Sequence, residues 1–207
     1  EDAKRGVAFF RAEACDCVIG LGGGSTLDVA KAVSLCATQN VPLDGDWEKQ
    51  AFQTRRVPSI MIPTTSGTGS ESTPFAVLYQ GTTKRSLSHS SMLPDVVILD
   101  PTFLESLPSP IVASSGWDAL AQGLESFWSV HSNATSTILS ERSLRVTLTS
   151  LVDNVKNPNR TTREKMLVAS NLAGQAIAIT RTTAAHAVSY PLTAHFHIPH
   201  GYAVALT

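Results

Sequence analysis

The first half of the chain alternates short apolar runs with turn-forming segments, a pattern typical of strands and helices packed into a sheet. Apolar residues spaced among charges predict a helix over residues 1–14. An apolar run over residues 16–22 ends in consecutive glycines, and helix-type spacing then resumes up to about residue 38. This stretch therefore predicts a strand, a tight glycine turn and a helix.

Further apolar runs in the first half predict more strands. Residues 57–63 have the pattern of a second buried strand, and residues 94–101 that of another, which an Asp-Pro pair closes. Residues 75–79 and 84–88 predict a strand pair around a Gln-Gly turn, whereas the polar residues 44–56 predict a loop. Strands and helices in this order predict an α/β domain.

From about residue 102 the glycines thin out and helical periodicity takes over. Apolar residues at helical spacing predict packed helices, and they are Leu104, Leu107, Ile111, Leu120, Leu124 and Phe127. A Ser/Pro-rich stretch over residues 106–110 predicts a hinge, and residues 154–160 separate two later helices. We therefore expect an α/β domain over residues 1–105 and an all-α domain over residues 106–207.

Composition narrows the class of protein. Of the 207 residues 43% are hydrophobic, and the net charge is −1 with a pI near 6.7, so we expect a packed core and no nucleic-acid partner. No apolar run is long enough to span a membrane, and we expect a cytoplasmic location. We assign no role to the three cysteines. The chain has no initiator Met and ends inside an apolar run, so we expect a piece of a longer protein.

The glycine turn is the first candidate binding site. Gly22, Gly23 and Gly24 remove every Cβ from the turn, so backbone N–H groups can approach a ligand closely. Ser25 or Thr26 can cap the helix that follows, and the N–H groups and helix dipole favour the pyrophosphate of a dinucleotide. Because Ser25 stands where the usual dinucleotide fingerprint has its third glycine, a plain structural turn is the alternative.

A second candidate loop follows the strand over residues 57–63. It carries the hydroxyl side chains of Thr64, Thr65, Ser66 and Thr68, together with two glycines. Open α/β sheets bind ligands at the carboxyl ends of their strands, which favours a binding loop here. A surface turn is the alternative interpretation of such a Ser/Thr/Gly segment.

Two sequence blocks in these loops resemble one known family. Residues 22–31 are similar to the GGGSxxDxAK segment, and residues 63–71 to the PTTxGTGSE block, of the iron-containing (group III) alcohol dehydrogenases. The resemblance implies a Rossmann-like nucleotide-binding domain with a parallel sheet, followed by a helical metal and substrate domain. It also implies that both blocks, Asp28 included, contact NAD or NADP, and Lys84 resembles a family lysine close to the nicotinamide ribose.

The same resemblance implies a metal site in the second half. In the family, an Asp and a His four positions later on one helix bind the catalytic metal; here these positions hold Asp118 and Gln122. Two further family ligands, histidines fourteen residues apart, match His186 and His200. Tyr190 stands where many members have another histidine close to the substrate.

Other interpretations of these residues stay open. A histidine on an apolar helix can be a hydrogen-bonded core residue, and His195 and His197 lie close enough in sequence to compete as ligands. The amide of Gln122 binds Fe²⁺ or Zn²⁺ more weakly than an imidazole, so a metal-free reductase pocket of the same fold is an alternative.

The resemblance implies an oxidoreductase that transfers a hydride between NAD(P)(H) and a small alcohol or aldehyde, assisted by Fe²⁺ or Zn²⁺, in a homo-oligomer such as a dimer. Residues 124–133 and 182–193 look like a branch associated with phosphonoacetaldehyde reduction, with Arg181 a candidate partner of the anionic group. A solvated Arg181 at a helix end is the alternative. A lyase similar to dehydroquinate synthase and an inactive scaffold remain competing functions.

Overall fold

The computed structural model describes residues 1–39, 52, 57–80 and 83–207, with residues 80, 83 and 84 described by their backbone alone. The chain divides into two compact units. The first contains residues 1–63 and 70–98, and the second contains residues 64–69 and 99–207. Over the described ranges, no helix is long and apolar enough to cross a bilayer. The domain boundary between residues 105 and 106 stays a prediction.

The first unit is built around a small parallel sheet. Its elements in chain order are α1 (Asp2–Ala12), β1 (Val18–Gly22), α2 (Gly24–Cys36), β2 (Ser59–Pro63), β3 (Phe75–Gln80), β4 (Thr83–Ser88) and β5 (Val96–Val97). Strands β1, β2 and β5 are parallel and lie side by side in that order, whereas β3 and β4 form a separate antiparallel ribbon. The predicted α/β architecture with a parallel sheet is confirmed, and so is the predicted strand pair. The predicted loop over 44–56 lies outside the described residues, apart from Phe52.

The strand predicted over residues 94–101 is only two residues long, so that prediction was wrong in extent. Pro94 and Pro101 have no N–H group to donate to a neighbouring strand. The Asp95 carboxylate accepts a hydrogen bond from the Ser59 N–H (2.8 Å), so a side chain replaces a backbone acceptor at the start of the strand. Asp100 then caps a short 3₁₀ helix over Pro101–Leu104, which ends the extended segment.

The core of the first unit joins α1 and α2 to the strand ribbon. Its buried members are Val7, Phe10, Val33, Leu35, Cys36, Ala37, Val57, Ala76, Leu87 and Met92. On the sheet side, a Cβ added at Gly20 of β1 would lie 2.8 Å from the Cβ of Ala30 in α2. The absence of a side chain at Gly20 therefore lets the strand and the helix approach closely, which fixes the position of the glycine turn between them.

The second unit is helical, as predicted. Its helices are α3 (Ser109–Trp128), α4 (Ala134–Lys156), α5 (Arg160–Thr180), α6 (Ala184–Phe196) and α7 (His200–Ala205). Helices α4 and α5 each begin with an asparagine capping box, at Asn133 and Asn159, in which the asparagine side chain accepts from the third helical N–H. The break between them lies at residues 157–159, inside the predicted separator.

Helix α3 is the central element of the second unit, because α4, α5 and α7 all pack against it. Glycines allow its close contact with α4: a Cβ added at Gly116 would lie 2.1 Å from Leu151, and one added at Gly123 would lie 3.0 Å from Leu144. Helix α3 also buries the longer polar side chains of Asp118, Gln122 and Glu125. These three side chains recur at helical spacing and define the candidate site described below.

Candidate active site

The glycine turn lies between β1 and α2 in the first unit. The turn residue Gly22 has φ 158°, and a Cβ added there would lie 2.7 Å from the Oγ1 atom of Thr26. Gly23 is the N-cap residue of α2, and its carbonyl accepts the N–H groups of Thr26 (3.0 Å) and Leu27 (3.1 Å). Ser25 and Thr26 are exposed. A 13-residue helix thus begins at a turn without side chains, an arrangement suited to an anion.

Asp28 makes internal contacts in the structure. Its carboxylate accepts hydrogen bonds from the Ser70 hydroxyl (2.5 Å) and the Val77 N–H (2.8 Å) and pairs with the Lys31 ammonium at 3.1 Å. Lys31 is 1% exposed and also donates to the Ser70 carbonyl (2.8 Å) and the Thr73 hydroxyl (3.1 Å). Burial lowers the pKa of Lys31, and the charge of Asp28 opposes this shift. The Asp and Lys of the first sequence block therefore tie α2 to residues 70–77.

The hydroxyl loop over residues 64–69 belongs to the second unit. Its two glycines allow it to contact the helices: a Cβ added at Gly67 would lie 2.7 Å from the Ser115 Cβ, and one added at Gly69 would lie 2.5 Å from the Gly174 Cα. Gly69 also has φ 56°, a conformation that favours glycine. Ser66 is buried, whereas Thr64, Thr65 and Thr68 are partly exposed.

Three side chains from three helices of the second unit converge at one point. Asp118 of α3, His186 of α6 and His200 of α7 each offer one ligand atom, and these atoms lie within 4.8 Å of one another. The Asp118 Oδ1 atom lies 3.2 Å from the His186 Nε2 atom and 3.8 Å from the His200 Nε2 atom. Asp118 and His186 are each 3% exposed, whereas the His200 side chain is 35% exposed, so the cluster is buried on one side and open on the other.

The local sequence explains why His200 reaches this cluster. His200 is the first residue of α7, which follows Pro199 at the N-cap position. The next residue, Gly201, contacts α3 so closely that an added Cβ would lie 1.7 Å from the Ser114 carbonyl oxygen. Since Ser114 precedes Asp118 by one helical turn, the Gly201 contact holds the start of α7 beside Asp118.

Gln122 joins the cluster through its amide. The Nε2 group donates to the Asp118 Oδ1 atom (3.1 Å) and to the Thr68 carbonyl (3.2 Å). Both partners are acceptors, which fixes the orientation of the amide. Its Oε1 atom is buried and has no hydrogen-bond partner. A buried carbonyl oxygen without a partner is costly, and a bound cation would satisfy it.

Glu125 is a buried acid that the sequence interpretation missed. It is 1% exposed, and its carboxylate pairs with the Nδ1 atom of His186 and accepts hydrogen bonds from the Thr183 N–H and hydroxyl, both at 2.8 Å. The sequence did contain a sign that Glu125 lies near Asp118. Glu125 follows Asp118 by seven residues, which is two turns of the same helix, so both side chains lie on one face.

The electrostatics of the cluster favour a positive charge at its centre. Burial alone lowers the pKa of His186, but the hydrogen bonds to Asp118 and Glu125 outweigh it and raise its pKa to about 9. Burial raises the pKa of the Asp118 and Glu125 carboxyls. Their interactions with His186 outweigh this effect, so the pKa of each carboxyl lies below its usual value. Two buried carboxylates carry a charge of −2, which a divalent cation beside neutral imidazoles would neutralise.

The donor set fits such a cation. Two imidazoles, one carboxylate and an amide oxygen are ligands that bind Fe²⁺ and Zn²⁺, with the amide oxygen the weakest of them. Two atoms that share an ion at about 2.1 Å lie roughly 3–3.5 Å apart. The 3.2 Å between Asp118 and His186 lies in this range, whereas the 3.8 Å between Asp118 and His200 would have to shorten on binding. The residues present therefore fit a metal.

The remaining predicted site residues fall into separate groups. Tyr190, four residues after His186 on α6, stacks parallel to the His200 ring with centroids 5.9 Å apart. His195 and His197 are both exposed and do not take part in the Asp118 cluster. Lys84 lies in β4 opposite Tyr79, and its side chain is outside the described part of the structure.

Comparison with known proteins gives a consistent family. The sequence model described as iron-containing alcohol dehydrogenase matches residues 1–101, and the model described as Fe-containing alcohol dehydrogenase family, C-terminal, matches residues 112–207. Long-chain-alcohol dehydrogenase 1 of Geobacillus thermodenitrificans is 38% identical over 208 residues, which cover 97% of this chain and 52% of the relative. Sulfoacetaldehyde reductase of Bilophila wadsworthia is 33% identical, with 94% and 51% of the two chains covered. The chain thus spans about half the length of the curated relatives it matches.

Solved structures agree with this assignment. The crystal structure of sulfoacetaldehyde reductase from Bifidobacterium kashiwanohense in complex with NAD⁺ is similar with a TM-score of 0.94 and 36% identity, over 99% of this chain and 56% of that one. The iron-containing alcohol dehydrogenase of Thermotoga maritima has a TM-score of 0.91 at 36% identity, with the same coverage. Together the two sequence models account for nearly all of the described fold, and the chain belongs to the iron-containing alcohol dehydrogenase family.

Proposed function

We propose that this protein is a metal-assisted oxidoreductase that transfers a hydride between NAD(P)(H) and a small alcohol or aldehyde. The observation that carries the proposal is the convergence of Asp118, His186 and His200 on one point, with Asp118 and His186 buried and His200 partly exposed. Gln122 lies beside this point, with its Nε2 group 3.1 Å from the Asp118 Oδ1 atom, and a turn of its amide would present the oxygen as a fourth ligand. Membership of the dehydrogenase family favours this function over a lyase similar to dehydroquinate synthase.

The residues divide the chemistry between them. A divalent cation held by Asp118, Gln122, His186 and His200 would supply Lewis acidity at the substrate oxygen, and the nicotinamide would accept or donate the hydride. The Tyr190 phenol, on the ring stacked against His200, is the proposed group that exchanges a proton with that oxygen. The low exposure of Asp118 and His186 keeps these two proposed ligands away from bulk water.

The proposed cofactor contacts come from two segments. The turn of Gly22, Gly23 and Gly24 with Ser25 opens onto the N-terminus of α2, where the pyrophosphate of NAD or NADP would accept hydrogen bonds from backbone N–H groups. Thr64, Thr65, Ser66 and Thr68 are the second proposed set. Asp28 supports the first segment through Ser70 and Lys31, and the contact with the cofactor that the resemblance implies for it remains a proposal. Lys84 remains a proposed contact of the nicotinamide ribose.

The proposed function is tested by metal content and by NAD(P)H-dependent reduction of small aldehydes in the full-length protein. We expect near one divalent metal per chain in the wild type. His200→Ala should lose the metal and more than about 100-fold of the activity, since a ligand matters more than the outer partners whose loss costs 10–100-fold. His195→Ala is the matched control, because His195 is exposed and lies outside the cluster. Activity without metal would instead favour a metal-free reductase pocket, and no cofactor binding would leave an inactive scaffold.

A small anionic aldehyde is the proposed substrate class. Two of the relatives named above are sulfoacetaldehyde reductases, and a phosphonate-bearing aldehyde has the same chemistry. Arg181 has φ 66°, a rare conformation for a residue with a side chain, directly after α5 and five residues before His186. Arg181→Ala should raise the KM for phosphonoacetaldehyde and sulfoacetaldehyde and leave that for propanal unchanged. An equal change for all three substrates would contradict this assignment.

A homodimer is the proposed assembly.

A further inference from the structure

A buried carboxylate lies behind the proposed metal centre and is not one of its ligands. Glu125 of α3 is 1% exposed, less than either Asp118 or His186. Burying an ionised carboxylate is costly unless it is fully hydrogen-bonded. Its contacts therefore indicate what the acid does in the fold.

One oxygen of Glu125 stabilises the start of α6. The Oε1 atom accepts the Thr183 N–H and the Thr183 hydroxyl, both at 2.8 Å, and the His186 N–H at 3.3 Å. Thr183 is the N-cap residue of α6, but its own side chain makes no capping hydrogen bond. A carboxylate from another helix thus takes the place of a side-chain cap, at the positive end of the helix dipole.

The other oxygen of Glu125 contacts the ring of His186. The Oε2 atom pairs with Nδ1, while Nε2 lies 3.2 Å from the Asp118 Oδ1 atom at the centre of the cluster. A carboxylate can only accept a hydrogen bond, so in a neutral ring it holds the proton on Nδ1. Nε2 then carries the lone pair that a metal ion requires.

We propose that Glu125 is a positioning residue that fixes both the tautomer and the orientation of His186 for metal binding. The inference rests on the proposed metal-dependent function. The same carboxylate holds the backbone of residue 186 through Oε1 and its ring through Oε2, so the ring has little freedom to rotate about its side-chain bonds. Glu125 touches neither substrate nor cofactor in this assignment and acts only through His186.

The alternative is a purely structural role, in which Glu125 merely caps α6. The two roles are separable, because Thr183→Val removes the Oγ1 hydrogen bond of the cap and leaves the pairing of Glu125 with the His186 ring. Glu125→Gln does the reverse: its carbonyl oxygen still accepts from Thr183, while its NH₂ group donates to Nδ1 and moves the ring proton to Nε2. A ring protonated on Nε2 has no lone pair there for a metal.

The test uses full-length protein stripped of metal and titrated with Zn²⁺ against a chromophoric chelator, and with Co²⁺ followed by its visible absorption. We expect Glu125→Gln to bind Zn²⁺ about 10–100-fold more weakly than the wild type and to show an altered Co²⁺ spectrum. Thr183→Val should lower the apo melting temperature and leave the Zn²⁺ affinity within about threefold. Glu141→Gln is the control for the substitution itself, since Glu141 is exposed on α4.

The outcomes separate this inference from the function on which it rests. Zn²⁺ affinity and Co²⁺ spectrum unchanged in a folded Glu125→Gln variant would overturn the inference and leave the metal site standing. A wild type that binds neither ion would overturn both. If Glu125→Gln does not fold, Glu125→Asp makes the same test, because it keeps the carboxylate and shortens its reach by one methylene. Full Zn²⁺ affinity in that variant would overturn the inference.

Discussion

At the scale of single residues, Gln122 is a position where the family resemblance implies a histidine and this chain has an amide. Its Nε2 group is held by two acceptors, one of them the backbone of the hydroxyl loop, and its Oε1 atom is buried without a partner. An imidazole at this position would offer a nitrogen to the metal. As a proposed ligand the amide would offer its oxygen instead, and oxygen ligands shift preference from Zn²⁺ towards harder cations such as Mn²⁺.

Gln122→His should therefore raise the affinity for Zn²⁺ relative to Mn²⁺, by about tenfold or more, because an imidazole suits zinc better than an amide oxygen does. The measurement is a competition titration of both ions on the apo protein. Gln175→His provides the control, since Gln175 also makes an amide hydrogen bond four residues back along its helix but is exposed. The same zinc-to-manganese ratio in the wild type and Gln122→His would mean that Gln122 is a neighbour of the metal and not a ligand.

At the scale of elements, helix α2 contains a buried ion pair between Asp28 and Lys31. Both residues belong to the first sequence block, but the block alone did not predict that they pair. The resemblance implied a cofactor contact for Asp28, whereas the structure directs its carboxylate to Ser70, Val77 and Lys31. Lys31 is buried and Asp28 nearly so, with 0% and 14% of the side chains exposed. Breaking such a pair leaves an uncompensated buried charge, which is strongly destabilising.

Lys31→Met should lower the free energy of unfolding by about 3–5 kcal/mol, since Asp28 loses its cationic partner and the backbone carbonyls lose the ammonium group that donates to them. Urea denaturation followed by circular dichroism measures this loss. Arg145→Met removes an exposed pair with Glu141 on α4 and should cost only about 0.3–0.5 kcal/mol. Replacing both members of the buried pair, as Asp28→Leu with Lys31→Met, should recover part of the loss. Equal effects of Lys31→Met and Arg145→Met would show that the buried pair does not stabilise α2.

At the scale of the whole molecule, local sequence patterns predicted the helices and strands. They did not predict the contacts between residues that lie far apart in the sequence. The glycine turn, the parallel sheet and the helical second half follow from periodicity and turn residues within a few positions of one another. The pairing of Asp28 with Val77 spans 49 residues and that of Glu125 with His186 spans 61, so no local pattern contains either. The length of β5 was also missed, because the Asp95 side chain replaces a backbone acceptor of Ser59 from 36 residues away.

The glycine turn and the proposed metal centre can be tested separately in the whole protein. The glycine turn lies in the first unit, and the Asp118, His186 and His200 cluster lies in the second. Gly22→Val should abolish NAD(P)H binding and preserve the metal content, because any Cβ at Gly22 would collide with Thr26 in the turn proposed to bind the pyrophosphate. His200→Ala should lose the metal and still bind NAD(P)H.

Fluorescence titration with NAD(P)H and metal analysis of both variants test whether each variant loses one ligand and keeps the other. Gly6→Ala controls for a glycine substitution in the first unit, since it perturbs packing against Val33 in the core and not the turn. Removing the metal from the wild type with a chelator should act as His200→Ala does: aldehyde reduction stops, cofactor binding persists, and added Zn²⁺ or Fe²⁺ restores the activity. If the chelated protein no longer bound NAD(P)H, cofactor binding would depend on the metal, and the proposal that the glycine turn holds the cofactor without the metal would be wrong.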